Sequence, residues 1–494
     1  MSTNTILDSI PPGLAADAAR AATLIKRAAS VVVASHIDAD GISAAAIAES
    51  ALKRQGIPVH TEFFKKLDGD AIGLIRSKSA DMAWFTDFGS GSLSKIEGMR
   101  AVVSDHHVPE SGHCSKARKG QSLLSDFSTV VHVNPQVHEI SGASELSGAG
   151  TTLLVALAMD LQNKDLVHMA ILGAVGDLQD QRARRLEGLN RVLLAEAERI
   201  GLVEPKEDIR YFGRETRPIH KMLEYSSDPF VPRITGNEDG AIAFLLELGI
   251  DLKDGDEWRT WMDLTSEERA KVIAAIQDQL ASYKRRPEVI DRLVGEVYSF
   301  PKEKRGTPVR DAKEFATLLN ACGRHGQALV GLKICEGDRG DFLDQGMTLL
   351  RDHRSAISKA LTWAKGSGII RLKNIQFFDA GDEIEDTIVG TVAGMLLGSE
   401  GSDRTAPMVA FAESTEFSEE PKIKASARGT QELVSRGLDL SKAIRTAAEK
   451  VGGIGGGHNI AAGATIPSER RDEFLAALDD IVGSQVLRTS QRRG

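Results

Sequence analysis

Residues 30–41 read Ser-Val-Val-Val-Ala-Ser-His-Ile-Asp-Ala-Asp-Gly. The run Val31, Val32, Val33, Ala34 is apolar at every position, as in a strand buried on both faces of a parallel sheet. Immediately beyond it, His36, Asp38 and Asp40 place three metal-competent side chains within five positions. Leu14, Ala18, Ala22 and Ile25 recur at helical spacing ahead of the strand, and 43–54 is helix-like behind it.

Working outward, further strand-like runs occupy 59–64, 82–85, 101–103 and 130–133, with helix-like stretches between them. Strands alternating with helices predict a doubly wound α/β layer. The glycine-rich turn Ser147-Gly148-Ala149-Gly150 leads into predicted helices over 151–160 and 165–175, which close a first domain at 1–190. From 187 to 308 the pattern is predominantly helical and charged, punctuated by Pro205, Pro218, Pro229 and Pro232. This predicts a helical connecting or inserted region, 191–310. Beyond it, 328–334, 369–378, 387–397 and 407–411 read as strands of a smaller second α/β unit, 311–494, whose tail from 485 is expected to fray. The expected fold class is therefore α/β, a parallel-sheet domain and a smaller C-terminal α/β domain joined by a helical region.

The 494 residues are 41% hydrophobic and 27% charged, which excludes collagen-like, coiled-coil rod and small disulfide-scaffold classes. Lys and Arg total 61 against 70 Asp and Glu, a net charge of −9. No global basic field exists to hold nucleic acid, so a polyanion would need a local groove or bound cations. Cys114, Cys322 and Cys335 are scattered and odd in number, which fits a reducing, cytoplasmic setting. No signal peptide and no apolar run near the ~20 residues of a membrane span is expected.

Three strand ends carry the chemistry. His36, Asp38 and Asp40 follow the first strand, Asp87 in Asp87-Phe88-Gly89 the third, and Asp105-His106-His107 the fourth. Ligands of open parallel sheets bind beyond the strands' carboxyl ends, so these groups should converge. Asp177, in Gly173-Ala174-Val175-Gly176-Asp177, follows an apolar helix and can join them. Gathered carboxylates repel one another and resist burial unless a cation neutralises them. Mixed nitrogen and oxygen donors suit Mn²⁺ or Zn²⁺, and five or six ligands with one shared carboxylate suit a metal pair that activates water and stabilises phosphoryl oxygens. Alone, Asp-His-His would be a solvated loop and Asp-x-Asp-Gly a turn or cap. Four segments in this order, three of them at strand ends, favour a site.

The order His-x-Asp-x-Asp-Gly, Asp-x-Gly, Asp-His-His and Gly-x-x-x-Asp resembles the DHH phosphoesterase superfamily, and the first motif its RecJ-type single-strand exonuclease branch. The resemblance implies that His36, Asp38 and Asp87 hold one metal and Asp40, Asp87, His106 and Asp177 the other, with Asp87 bridging. It implies two Mn²⁺ ions, with Mg²⁺ as the alternative. His107 would contact the scissile phosphate, and Asp105 would orient a neighbouring histidine.

Near the C-terminus stands Gly452-Gly453-Ile454-Gly455-Gly456-Gly457-His458. Consecutive glycines can form an anion nest or simply end the helix predicted over 440–451. In the DHH-associated second domain, Gly-Gly-Gly-His is the substrate-binding signature, which Gly455, Gly456, Gly457 and His458 resemble. Ser426 and Arg428 resemble that domain's Ser-x-Arg strand, though an ordinary surface arginine reads the same way. Pro218-Ile219-His220-Lys221 and 225–230 look like archaeal RecJ-like proteins, including the GINS-associated nuclease, which implies the GINS replication complex as a partner. The chain leaves little room after the second domain for the OB-fold of bacterial RecJ.

The implied activity is metal-dependent exonuclease cleavage of single-stranded DNA or RNA, in replication or repair. A phosphodiesterase for short oligonucleotides or cyclic dinucleotides shares the motifs. A GINS-binding replisome scaffold would have decayed ligands, which this sequence does not show. A pyrophosphatase is disfavoured, because that family's first motif spaces its His and first Asp more widely than His36 and Asp38.

Overall fold

The computed structural model describes residues 6–110, 130–226, 228–284, 286–399, 402–414 and 420–491, with side chains described as far as 486. Cys114 and Ser227 lie outside the described residues. The chain forms two compact units, Met1–Leu350 and Arg351–Gly494.

The first unit opens with α1 (Pro12–Lys26), β1 (Val31–His36), α2 (Ala39–Arg54), β2 (Val59–Phe64), α3 (Gly69–Ser77), β3 (Met82–Thr86), β4 (Ala101–Ser104) and β5 (Val130–Val133). The five strands make one parallel sheet in the order β2-β1-β3-β4-β5. Its two faces separate by residue parity, as the pleat requires. Val31, Val33, Trp84 and Val102 join the core beneath α1 and α2, while Val32, Ala34, Phe85 and Val103 join the core beneath α3. Because Ser35 stands beside Thr86 and Thr86 beside Ser104, the motifs leave β1, β3 and β4 at one level.

Two apolar helices follow, α4 (Gly148–Met159) and α5 (Val167–Gly176), buried along most of their length and packed on α2. Next come α6 (Gly188–Arg199) and β6 (Glu204–Ile209). The stretch expected to be predominantly helical contains α7 (Ile219–Glu224), α8 (Glu238–Glu247), a hairpin of β7 (Lys253–Asp254) and β8 (Glu257–Trp258), α9 (Ser266–Ser282) and α10 (Pro287–Ile290), and it ends in β9 (Val294–Ser299). Strands β6 and β9 pair antiparallel, Glu204 with Ser299 and Ile209 with Val294. Between them lies a separate apolar core of Ile209, Leu223, Trp261, Ile276 and Leu293, among others. A module thus hangs on a two-stranded ribbon that helical periodicity cannot reveal.

The first unit also holds α11 (Ala312–Arg324) and α12 (Ala328–Cys335), which pack on α2 and α5. The strand expected over 328–334 is therefore a buried helix, and compactness divides the chain at Leu350, later than the expected boundary at 311. Short, mostly apolar runs such as this one, broken only by Lys333, read alike in both states.

From α13 (Asp341–Ser367) the chain continues through β10 (Ile370–Arg371), β11 (Gln376–Asp379), α14 (Val389–Gly398), β12 (Met408–Glu413), β13 (Lys422–Arg428), α15 (Gln431–Ser435), α16 (Leu440–Lys450), β14 (Ile454–Gly457), β15 (Ala461–Pro467) and α17 (Arg471–Gln491). The single strand expected over 369–378 is two strands folded against each other, Ile370 opposite Phe377. The strand expected over 387–397 is α14, and the tail expected to fray from 485 stays helical to Gln491. The sheet runs β10-β11-β12-β13-β15-β14, with separate apolar cores built around α16 and α17 and around α14.

Candidate metal centre

At the end of β1 the chain turns through Asp38, whose carboxylate caps α2 by accepting from Gly41 N at 3.0 Å. The turn is tight enough that a Cβ on Gly41 would stand 2.2 Å from His36 O, so the motif needs glycine there. Asp40, in the first turn of α2, is 2% exposed and accepts from Gly148 N (2.7 Å) and Ala149 N (3.0 Å) at the N-terminus of α4.

Asp87 follows β3 with φ 62°, a left-handed backbone rare outside glycine, and is 1% exposed. Asp105, after β4, collects four donors: Ser90 N (2.8 Å), His106 N (2.7 Å), His107 N (3.1 Å) and His107 Nδ1 (2.8 Å). Burial opposes its ionisation, but the histidines and backbone donors hold its pKa well below the usual carboxylate range.

These side chains meet. His36 Nδ1 lies 3.0 Å from Asp38 Oδ2 and 3.7 Å from Asp87 Oδ2. His106 Nε2 lies 3.2 Å from Asp87 Oδ1 and 3.8 Å from Asp40 Oδ2, and its Nδ1 is 3.8 Å from Asp177 Oδ2. His36, Asp38 and Asp87 bring ligand atoms within 4.8 Å of one another, as do Asp40, His106 and Asp177, and a third overlapping group contains Asp87, Asp105, His106 and His107.

The donor set fits cations. Neither oxygen of Asp87 accepts a hydrogen bond from a described residue. A buried carboxylate without a donor is costly unless a positive charge replaces the missing water. Burial, then the charges of Asp40 and Asp38, push the Asp87 pKa far up, and burial pushes Asp177 up to about 6. Burial opposes protonation of the histidines, yet Asp177 and Asp40 lift His106 to about 9, Asp105 lifts His107 to about 9, and Asp38 raises His36.

Several neighbours escape sequence reading. Asn320 of α11 accepts from Ala39 N at 2.9 Å, and Arg324 ends the same helix close enough for Asp38 to raise its pKa against a larger lowering by burial. Gln179 donates to Asp177. Asn320 and Arg324 lie some 280 positions from the first motif, and no local spacing joins them to it.

In the second unit, Gly455, Gly456 and Gly457 form β14, an edge strand paired with β15, rather than a frayed helix end. Arg428 at the end of β13 pairs in register with Ala461, whose carbonyl accepts from His458 N at 2.7 Å. Arg428 and His458 therefore stand at one end of this sheet. A Cβ on Gly390 of α14 would lie 2.4 Å from Arg428 Nη2, so the guanidinium rests on bare helix backbone.

Residues 211–294 match the model of the DHH-CID domain, and residues 372–484 that of the DHHA1 domain. An uncharacterized protein of Methanocaldococcus jannaschii is 28% identical over 461 residues, 92% of this chain and 94% of that one. RecJ from Thermus thermophilus in complex with Mn²⁺ superposes with a TM-score of 0.55 at 18% identity, covering 97% of this chain. The chain spans 56% of that RecJ's length. CDC45 from Entamoeba histolytica superposes with a TM-score of 0.61 at 10% identity, over 97% of this chain and 99% of that one. Among the described residues no helix is long and apolar enough to cross a membrane. The chain thus carries segments that match the DHH-CID and DHHA1 domain models, and it shares the fold of RecJ.

Proposed function

We propose that the chain is a metal-dependent exonuclease that hydrolyses phosphodiester bonds of single-stranded DNA or RNA with two divalent cations, Mn²⁺ or Mg²⁺. The observation that carries this reading is Asp87, buried between two donor sets and accepting no hydrogen bond from a described residue. On this reading His36, Asp38 and Asp87 hold one cation, and Asp40, Asp87, His106 and Asp177 the other. Bound there, the cations supply a polarised water and neutralise phosphoryl oxygens. His107, its side chain 45% exposed and its Nδ1 tied to Asp105, turns its other nitrogen away from that carboxylate and is protonated at neutral pH. It offers a charged donor to the scissile phosphate, and Arg324 adds a second positive charge beside Asp38. The DHHA1 residues Arg428, Gly455, Gly456, Gly457 and His458 bind the nucleic acid.

A role in replication or repair, with the GINS complex as partner, is supported by residues 218–230 and by the likeness to CDC45. That likeness also favours a second reading, a scaffold without hydrolysis, which the retention of all the proposed ligands opposes. Length dependence separates the exonuclease from a short-substrate phosphodiesterase. Contacts beyond the scissile bond should make kcat/KM rise from dinucleotides to longer strands and fall with salt. A preference for dinucleotides, with no gain at greater length, would defeat the exonuclease reading.

A further inference from the structure

One amide ties together two residues that approach the metal centre from different elements. Gln179 is 2% exposed and lies two residues beyond Asp177, past the C-terminus of α5. Its Nε2 donates to Asp177 Oδ2 at 2.9 Å and to Gly142 O at 2.8 Å. Both partners are acceptors only, so the orientation of the amide is fixed by chemistry. Its Oε1 must then accept, and it does so from Asn190 Nδ2 of α6 at 2.6 Å. The Gly142 carbonyl has a second visitor, His106 Nδ1, at 2.5 Å. With Nδ1–H held there, neutral His106 is left with Nε2 as its lone-pair nitrogen, facing Asp87 and Asp40.

We propose that Gln179, anchored by Asn190, is a positioning residue that fixes the Asp177 carboxylate and, through the shared Gly142 carbonyl, the ring orientation and tautomer of His106. The inference rests on the metal reading of the site. Asn190 is itself fully buried, and its backbone N donates to Glu145 O at 2.8 Å, so the anchor is set by the packing of α6. Nothing in the spacing of the four motifs points to these two residues. The chain of contacts Asn190–Gln179–Asp177 nonetheless makes α6 part of the metal centre's support. Such outer partners act on metal affinity by holding ligand atoms where the cation needs them.

The test is titration of the full chain with Mn²⁺, following free Mn²⁺ by electron paramagnetic resonance, alongside thermal melts. Gln179→Met keeps the volume of the side chain and removes its three hydrogen bonds. It should weaken Mn²⁺ binding by about 10–100-fold. Turnover should recover at high Mn²⁺, because the ligands themselves remain. Asn190→Ala should weaken binding less, and the double variant should be no worse than Gln179→Met if the two act as one chain. Affinity within twofold of wild type in either folded variant would overturn the proposal, as would fully additive losses. Failure of the wild-type chain to bind Mn²⁺ at all would instead remove the metal reading on which the proposal stands.

Discussion

Gly323 lies so close to the carbonyl oxygen of Ile37 that a Cβ would stand 1.8 Å from it. Gly323 sits in the last turn of α11 and Ile37 in the loop between His36 and Asp38, so the helix is seated directly on the first motif. The contact is with backbone, which cannot swing aside as a side chain would. Gly323→Ala should therefore cost about 1–3 kcal/mol of stability and move the loop that carries His36 and Asp38. Thermal melts and hydrolysis should both fall. A variant with wild-type melting and turnover would contradict the seating.

Asp87 gives a prediction of opposite sign for stability. Its folded pKa is raised above its unfolded value, so without metal its contribution to stability is lost as pH rises through the folded value. Asp87→Asn removes that charge at nearly constant volume. In the presence of a chelator at pH 8 it should melt higher than wild type, by about 2–4 °C per kcal/mol relieved. Added Mn²⁺ should stabilise the wild-type chain and leave the variant unmoved. Equal metal-induced stabilisation of both would contradict the role given to Asp87.

Glu314 provides a pH test away from the metal centre. Burial first, and Asp311 next, push this carboxyl up to about 7, against opposing contacts from Thr216, Glu215 N and Arg214. The stability contributed by its neutral form is fully present below the ordinary glutamate pKa and is lost as pH rises through about 7. Glu314→Gln can keep the same contacts, its oxygen accepting from Glu215 N and its amide donating to Thr216 Oγ1. Denaturant unfolding from pH 5 to 8 should show the variant gaining on wild type by about 2–4 kcal/mol at the upper end. An unchanged pH profile would show Glu314 ionising freely.

The parallel sheet was legible because β1, β3 and β4 are apolar over most of their length and end abruptly in polar residues. The convergence of His36, Asp38, Asp40, Asp87 and His106 was within reach for the same reason, since a strand end gives a motif an address in space, whereas Asp177 joins them from the end of helix α5. Residues 328–334 and 387–397 form helices where strands are expected, because a short buried helix and a buried strand are both mostly apolar. The ribbon β6–β9 stayed hidden behind a charged sequence, Glu-Pro-Lys-Glu-Asp-Ile, without apolar alternation. Gln179, Asn190, Asn320 and Gly323 act through a few specific contacts, most of them between elements distant in sequence, and such contacts leave no periodic trace.

The most direct measurement of the central claim is digestion of single-stranded DNA and RNA, each labelled at one end or the other, with and without Mn²⁺, by the wild-type chain and by Asp87→Ala. The account predicts Mn²⁺-dependent release of nucleotides progressing from one end. It also predicts that Asp87→Ala, folded by its thermal melt, releases none. Near-normal hydrolysis by the folded variant, or no hydrolysis by a wild-type chain that has bound Mn²⁺, would contradict it.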